Sequence, residues 1–119
     1  MKPTLGILSL TAFSALVAGC GYTRKNENYS QLATVGPHYS SIAANIVAPK
    51  CYPCHAPGGG APDFTSYAGV RDQVLPGDPG GSGFYTEVEA GDMPIGRPML
   101  SDDEILAIYQ WIRNGAPND

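Results

Sequence analysis

The sequence has few residues that bind metal ions or form disulfides, with three cysteines and two histidines among 119 residues. The first cysteine, Cys20, stands apart at the end of an apolar N-terminal segment. The rest of the chain offers Cys51, Cys54, His38 and His55, with no second paired cluster. A structural zinc site takes four ligands, usually in two such clusters. Zinc is therefore a weak explanation of these residues.

Basic residues are also scarce, with seven against eleven acidic ones and a formal net charge of −4. Nucleic-acid binding depends on cations that neutralise phosphates, so we expect no nucleic-acid partner. An acidic surface suits protein partners with basic docking surfaces, and it equally serves solubility alone. No Ser/His/Asp grouping or carboxylate pair suggests substrate chemistry. We therefore expect neither an enzyme nor a small-molecule substrate.

No apolar run is long enough for a comfortable membrane span, which takes about 20 residues. Residues 5–18 are apolar and follow Lys2, a pattern typical of an export signal. They lead into Leu16-Val17-Ala18-Gly19-Cys20, which resembles the lipobox of bacterial lipoproteins. In that family the signal is cut before the cysteine, which then carries the lipid. The resemblance implies a signal peptide over 1–19 and an exported chain, anchored through Cys20 to a bacterial membrane and facing the periplasm or the cell surface. The alternative is an uncleaved helical anchor.

The most informative stretch is Cys51-Tyr52-Pro53-Cys54-His55, which is the C-x-x-C-H pattern of covalent haem attachment. The spacing follows from the chemistry, because two thiols add to the two vinyl groups of one porphyrin and the next residue supplies an imidazole to the iron. On this stretch the chain resembles the small single-haem domains of the c-type cytochrome family. The resemblance implies one covalent haem c, with thioethers at Cys51 and Cys54 and His55 as the proximal ligand.

Two further interpretations of this stretch are a dithiol redox pair and a structural disulfide. A thioredoxin-like pair needs its first cysteine at a helix N-terminus, where the dipole lowers the thiol pKa. Residues 56–62 read Ala-Pro-Gly-Gly-Gly-Ala-Pro, which cannot form a helix. A disulfide between Cys51 and Cys54 would close too tight a loop to stabilise much. Haem attachment is the favoured interpretation.

Glycine and proline together make up 26 of the 119 residues, 15 plus 11. Such a composition leaves little apolar surface for a core, and a haem would supply its centre. Residues 20–37 are polar and lack helical or strand periodicity, so we expect a tether that starts at Cys20. The haem domain is then predicted to span 38–119.

Three short segments before residue 91 have helical signals. The first helix has one apolar face, formed by Tyr39, Ile42, Ala43 and Ile46. We expect Pro49 to end it, just before the cysteines. A second short helix should follow a cap at Thr65 or Ser66, and a third should begin at a Ser82 cap.

The clearest predicted helix is the last one. Ser101 and Glu104 have the spacing of a capping box, with two aspartates between them. The predicted buried stripe consists of Ile105, Ile108, Tyr109 and Ile112, widened by Trp111. Gly115 is placed to close the helix.

The order of these segments resembles that of small bacterial cytochrome c domains, over about the last 80 residues. The resemblance implies an all-α fold in which about four short helices wrap around one covalently attached haem and the N- and C-terminal helices cross. Ala43 would permit a close crossing, and Trp111 is the candidate to cover it. Three aromatic residues are predicted to pack on the haem: Tyr67, Phe84 and Tyr85.

The resemblance also implies a distal methionine in a proline-bearing loop, which Met93 matches in Gly91-Asp92-Met93-Pro94. A thioether is a soft neutral ligand that favours Fe(II). Met99 is the competitor, and a site without a methionine ligand stays open. His38 is a further alternative ligand, although we expect a solvated loop histidine.

Taken together, these features predict electron transfer by a membrane-tethered single-haem cytochrome with His55 and Met93 as iron ligands. Two alternatives share the same motif. One is a haem-bearing accessory subunit of a periplasmic or respiratory oxidoreductase, and the other is a haem-based ligand sensor, which needs an open iron position. Redox proteins and the membrane are thus the expected partners.

Overall fold

The computed structural model describes residues 35–119. The predicted signal peptide, Cys20 and most of the predicted tether lie outside the described residues. The architecture of residues 35–119 is all-α. Within this range the only β pairing is one isolated bridge between Leu75 and Asp78. None of the helices in this part of the chain is long and apolar enough to cross a bilayer. Val35, in the range assigned to the tether, is buried in the core.

The first helix begins as α1, Tyr39–Ile42, and continues without a break as a π-helix, Ala43–Cys51. Its predicted inner face is confirmed in part, because Ile42 and Ile46 are fully buried whereas Tyr39 and Ala43 are half-buried. The prediction that Pro49 ends the helix is wrong. In an α-helix the proline ring would clash with the carbonyl four residues earlier. In a π-helix each N–H bonds to the carbonyl five residues earlier, so this part of the helix is wider. Tyr52 N donates in this way to Val47 O at 3.2 Å.

Two short helices follow. Helix α2, Tyr67–Arg71, is capped by Ser66, whose hydroxyl accepts from Gly69 N at 3.2 Å. Helix α3, Gly83–Glu89, begins after Ser82 as predicted, but the expected side-chain cap is absent. The buried Ser82 hydroxyl instead donates to Asp78 O at 2.7 Å and accepts from Leu75 N at 2.9 Å. It therefore holds the turn before α3 together.

Helix α4, Asp102–Arg113, has the ends that the sequence predicts. Both halves of the capping box are present, with Glu104 N donating to the Ser101 hydroxyl and Ser101 N to the Glu104 carboxylate. At the other end Gly115 has a φ of 96°, which glycine adopts without a steric penalty. Its N–H donates to Ile112 O while Ala116 N donates to Trp111 O, the paired bonds of a Schellman motif.

The core lies between the first helix and α4. Its largest fully buried side chains are Trp111, Ile42, Ile46, Ile108 and Ile112. The start of the first helix meets the end of α4, with the Tyr39 and Trp111 rings 5.9 Å apart. The end of the first helix meets the start of α4 through a Lys50–Glu104 ion pair. These two contacts fix the C-terminal end of the first helix, and with it Cys51, relative to α4.

Candidate functional site

An open cavity of about 330 Å³ lies between the C-x-x-C-H segment, α3 and the loop that follows α3. Its size is that of small-molecule and cofactor sites, which are mostly apolar with a few polar groups. Both cysteines of the motif, its histidine and Met93 lie in the wall. The other residues that line it are Lys50, Ala61, Pro62, Phe64, Gln73, Gly83, Phe84, Glu87, Val88, Pro94, Ile95, Arg97 and Leu100.

The two cysteines stand at the end of the first helix and in the turn after it. Cys51 is the last residue of the π-helix and is half-buried, whereas Cys54 is exposed. Both are free thiols. Cys54 N and His55 N donate to Cys51 O at 3.2 and 2.9 Å. This turn gathers both thiols and the imidazole at one wall of the cavity.

The position of Cys51 is unfavourable for dithiol redox chemistry. Reactive thiols lie at helix N-termini with a lowered pKa, whereas Cys51 lies at a helix C-terminus. Burial raises the pKa of its thiol to about 11, although Lys50 and Arg97 partly oppose the rise. A thiol in this state is protonated at neutral pH, so the geometry does not favour a thiolate nucleophile here.

His55 is held by two contacts. Its Nδ1 lies 2.9 Å from Pro62 O, and since a carbonyl only accepts, Nδ1 donates this bond. In the neutral imidazole Nε2 then keeps the lone pair. Histidines that ligate metals are usually oriented in this way, through the second nitrogen. The imidazole also stacks on Phe64, with ring centroids 4.2 Å apart and planes 6° apart. These contacts leave Nε2 as the ring nitrogen that can bind a metal ion.

The two candidate methionines differ clearly in position. Met93 is half-buried and lines the cavity, and its N–H donates to Glu87 O at 3.1 Å. Met99 is 62% exposed and does not line the cavity. The structure therefore brings Met93, and not Met99, together with the motif.

The aromatic lining differs from the predicted set. Of the three residues predicted to pack on a haem, Phe84 lines the cavity, whereas Tyr67 and Tyr85 do not. Tyr67 packs edge-on against Tyr39 and donates its hydroxyl to Ala116 O at 2.7 Å. Tyr85 packs instead on α4, with its ring 5.5 Å from that of Tyr109.

Phe64 is the lining residue that the sequence reasoning missed. It is buried, it stacks on His55, and it meets Phe84 edge-on with the ring centroids 5.5 Å apart. Its N–H donates to His55 O at 2.9 Å. The available signal was that Phe64 is the lone aromatic residue between the motif and α2.

Two basic side chains lie in the cavity wall, whereas Arg71 and the alternative iron ligand His38 lie elsewhere. Lys50 and Arg97 line the wall near Cys51. Arg71 lies elsewhere and donates to Val74 O at 2.9 Å. His38 is exposed, with its Nδ1 2.9 Å from the Asp119 carboxylate, so it has no place in the cavity.

The assembled residues fit a covalently attached haem. Attachment of such a group requires two free thiols, one or two ligands for the iron and an apolar wall. The cavity contains residues of all three kinds. Within residues 35–119 no three His, Cys, Asp or Glu side chains are arranged to hold a metal ion, so the zinc interpretation gains no support. Comparison with family models, curated proteins and solved structures gave no match.

Proposed function

We propose that the chain attaches one haem c through Cys51 and Cys54, and that His55 and Met93 would ligate its iron. The observation that carries this proposal is the shared cavity, since both thiols, the imidazole and one thioether line the same apolar space. Residues 55 and 93 come from segments far apart in the sequence, and only the fold brings them to one site. A chance C-x-x-C-H pattern would not require a methionine opposite it.

Each residue has a distinct task in this arrangement. Cys51 and Cys54 hold the ring covalently. His55, whose Nδ1–H is bonded to Pro62 O and whose ring rests on Phe64, presents Nε2 in one orientation. Met93 supplies a soft neutral sulfur, which favours the reduced state. The iron, when bound, would supply a reversible one-electron change, and the cavity offers it a mostly apolar wall.

The function we propose is electron transfer between proteins, within a cytochrome c-like fold. The all-α architecture and the packing of the first helix on α4 support it. Closure of both axial positions by protein ligands suits a carrier better than a ligand sensor. The excess of eleven acidic over seven basic residues suits redox partners with basic docking surfaces.

Anchoring through Cys20 is the second part of the proposal. It is supported by the sequence Leu16-Val17-Ala18-Gly19-Cys20 and by the apolar run before it. A lipid there, followed by a polar tether that ends before the buried Val35, would keep the haem domain close to the membrane surface. In bacteria the haem of c-type cytochromes is attached outside the cytoplasmic membrane, which agrees with export.

The deciding experiment is an optical spectrum of the protein matured in a host with haem-attachment machinery, read in both oxidation states. We expect a low-spin, six-coordinate haem that stays with the denatured chain. Cys51→Ala and Cys54→Ala should each weaken or abolish that retention, whereas Cys20→Ala, the matched control, should not. Haem released intact from the wild type by acid and organic solvent would contradict covalent attachment.

A further inference from the structure

Residues 93–100, here called the Met93 loop, connect α3 to α4 and form one wall of the cavity. The loop is held at both ends. Asp92 N and Met93 N donate to Glu87 O at 3.0 and 3.1 Å, and Leu100 is buried in the core. Its middle has little packing, since Ile95 is 72% exposed. The bonds to Glu87 O fix the backbone of Met93 at the α3 end, whereas the path of residues 94–99 beside the cavity depends on what else holds the loop.

A carboxylate on α4 links the end of this loop to the first helix. The Lys50 ammonium lies 2.6 Å from both carboxylate oxygens of Glu104. One of these oxygens also accepts from Ser101 N at 2.8 Å, directly after the loop. Lys50 precedes Cys51 in the chain. Glu104 thus connects the cysteine end of the first helix to Ser101, the residue that follows the Met93 loop.

A second contact reaches the same end of the first helix from the middle of the loop. The Arg97 guanidinium donates to Pro49 O at 3.2 Å. Pro49 and Lys50 are neighbours, so both contacts act on a single turn of the helix. Together they join the cysteine and methionine walls of the cavity on one side.

We infer that these two contacts, here called the clasp, hold the Met93 loop against the first helix, and that Glu104 is a positioning residue for Met93. The inference rests on the proposed ligation by His55 and Met93. The ion pair is better shielded than ordinary surface pairs, with side-chain exposures of 30% for Lys50 and 13% for Glu104. Charge-assisted bonds in such a setting contribute more than exposed pairs do. Without them the loop samples positions that carry Met93 out of the cavity.

The test measures how readily an external ligand replaces Met93 in the mature haem protein. Imidazole is added to ferric wild type and to Glu104→Gln, and binding is followed by the loss of the weak far-red absorption typical of methionine ligation. A larger open population raises the apparent affinity in the same proportion. We expect imidazole to bind Glu104→Gln at least about fivefold more tightly than wild type. Arg97→Gln should also bind imidazole more tightly than wild type, but by a smaller factor.

Two controls separate positioning from general stability. Ser101→Ala removes the side-chain cap of α4 and leaves the Lys50–Glu104 pair in place. Asp103→Asn removes an exposed carboxylate from the same helical turn. Both should bind imidazole with nearly wild-type affinity. Lys50 and Glu104 act as one unit. The double variant Lys50→Gln/Glu104→Gln should therefore bind imidazole with about the same affinity as either single variant.

The outcomes distinguish the inference from the function on which it rests. If wild type has the far-red absorption and Glu104→Gln binds imidazole as wild type does, the clasp does not position Met93. The same conclusion follows if Ser101→Ala gains as much affinity as Glu104→Gln. If wild type retains no covalent haem or lacks the far-red absorption, the proposed ligation itself is overturned.

Discussion

The imidazole of His55 lies parallel to the ring of Phe64, with 4.2 Å between their centroids and 6° between their planes. Stacking fixes one face of the imidazole, and the bond from Nδ1 to Pro62 O fixes its rotation. Neither contact uses the ring nitrogen Nε2. The loop of residues 56–62 therefore turns the chain back towards His55. As a result, the Pro62 carbonyl and the Phe64 ring that follows it both contact the histidine.

Phe64→Leu should loosen this orientation while keeping an apolar side chain. We expect the free energy of unfolding to fall by about 1–2 kcal/mol. In the haem protein, the low-spin spectrum should be lost at a lower denaturant concentration than the helical signal, because a less constrained imidazole leaves the iron more easily. Denaturant titrations followed by the low-spin spectrum and by far-ultraviolet circular dichroism measure the two midpoints.

Phe84→Leu is the matched control for this substitution. Phe84 is also buried and also lines the cavity, but it does not stack on His55. The unfolding free energy of Phe84→Leu should fall by a similar amount, with the spectral and helical midpoints still coincident. An equal separation of the two midpoints in both variants would mean that packing, and not the stacked ring, governs His55.

Much of the fold could be predicted because its signals are local. The capping box at Ser101, the closing glycine at 115 and the buried face of Ile42 and Ile46 each depend on residues within a few positions of one another. The same holds for the turn that gathers the motif. Such features require no knowledge of the rest of the chain.

The errors concern residues whose partners are chosen by the fold. Pro49 ends an α-helix, but the first helix widens into a π-helix that accommodates it. The Ser82 hydroxyl is used by the preceding turn and not by α3. Phe64 and Tyr67 are both near the motif in sequence, yet only the loop path decides which of them reaches the cavity.

The Lys50–Glu104 pair should make stability depend on pH. Burial alone would raise the pKa of Glu104, but hydrogen bonds from Lys50 and Ser101 bring it below its ordinary value of 4.5. A lowered folded-state pKa contributes stability above the unfolded value, and the contribution is lost as the pH falls through the folded one. Glu104→Gln should therefore cost about 1–2 kcal/mol at pH 7 and much less at pH values below the lowered pKa of Glu104.

Chemical denaturation at several pH values checks this expectation. Asp103→Asn is the control, because it removes a carboxylate from the same turn without touching Lys50. A constant difference between Glu104→Gln and wild type across the acid range would show that the carboxylate charge contributes nothing to the pair.

Cys20→Ala tests the anchor independently of the haem. If Cys20 carries lipid, the variant should accumulate as an unprocessed precursor or as an unlipidated soluble form. Membrane fractionation and the intact mass of the mature chain distinguish these forms from wild type. Unchanged partitioning together with unchanged mass would indicate an uncleaved N-terminal helix instead.

The choice between carrier and sensor depends on the sixth iron position, which we assign to Met93. Met93→Ala should open that position, lower the reduction potential and erase the far-red absorption of the ferric protein. Carbon monoxide should then bind the ferrous form readily, because it no longer has to displace a thioether. Spectra in both oxidation states and a redox titration measure all of these changes.

Met99→Ala is the matched control, since Met99 lies in the same chain segment but is 62% exposed and outside the cavity lining. It should leave the far-red absorption and the potential close to those of wild type. If Met99→Ala alone erased the absorption, electron transfer would survive as the function and the ligand would be Met99. A wild type that is already high-spin and binds carbon monoxide readily would instead favour the sensor, because a carrier keeps both axial positions closed.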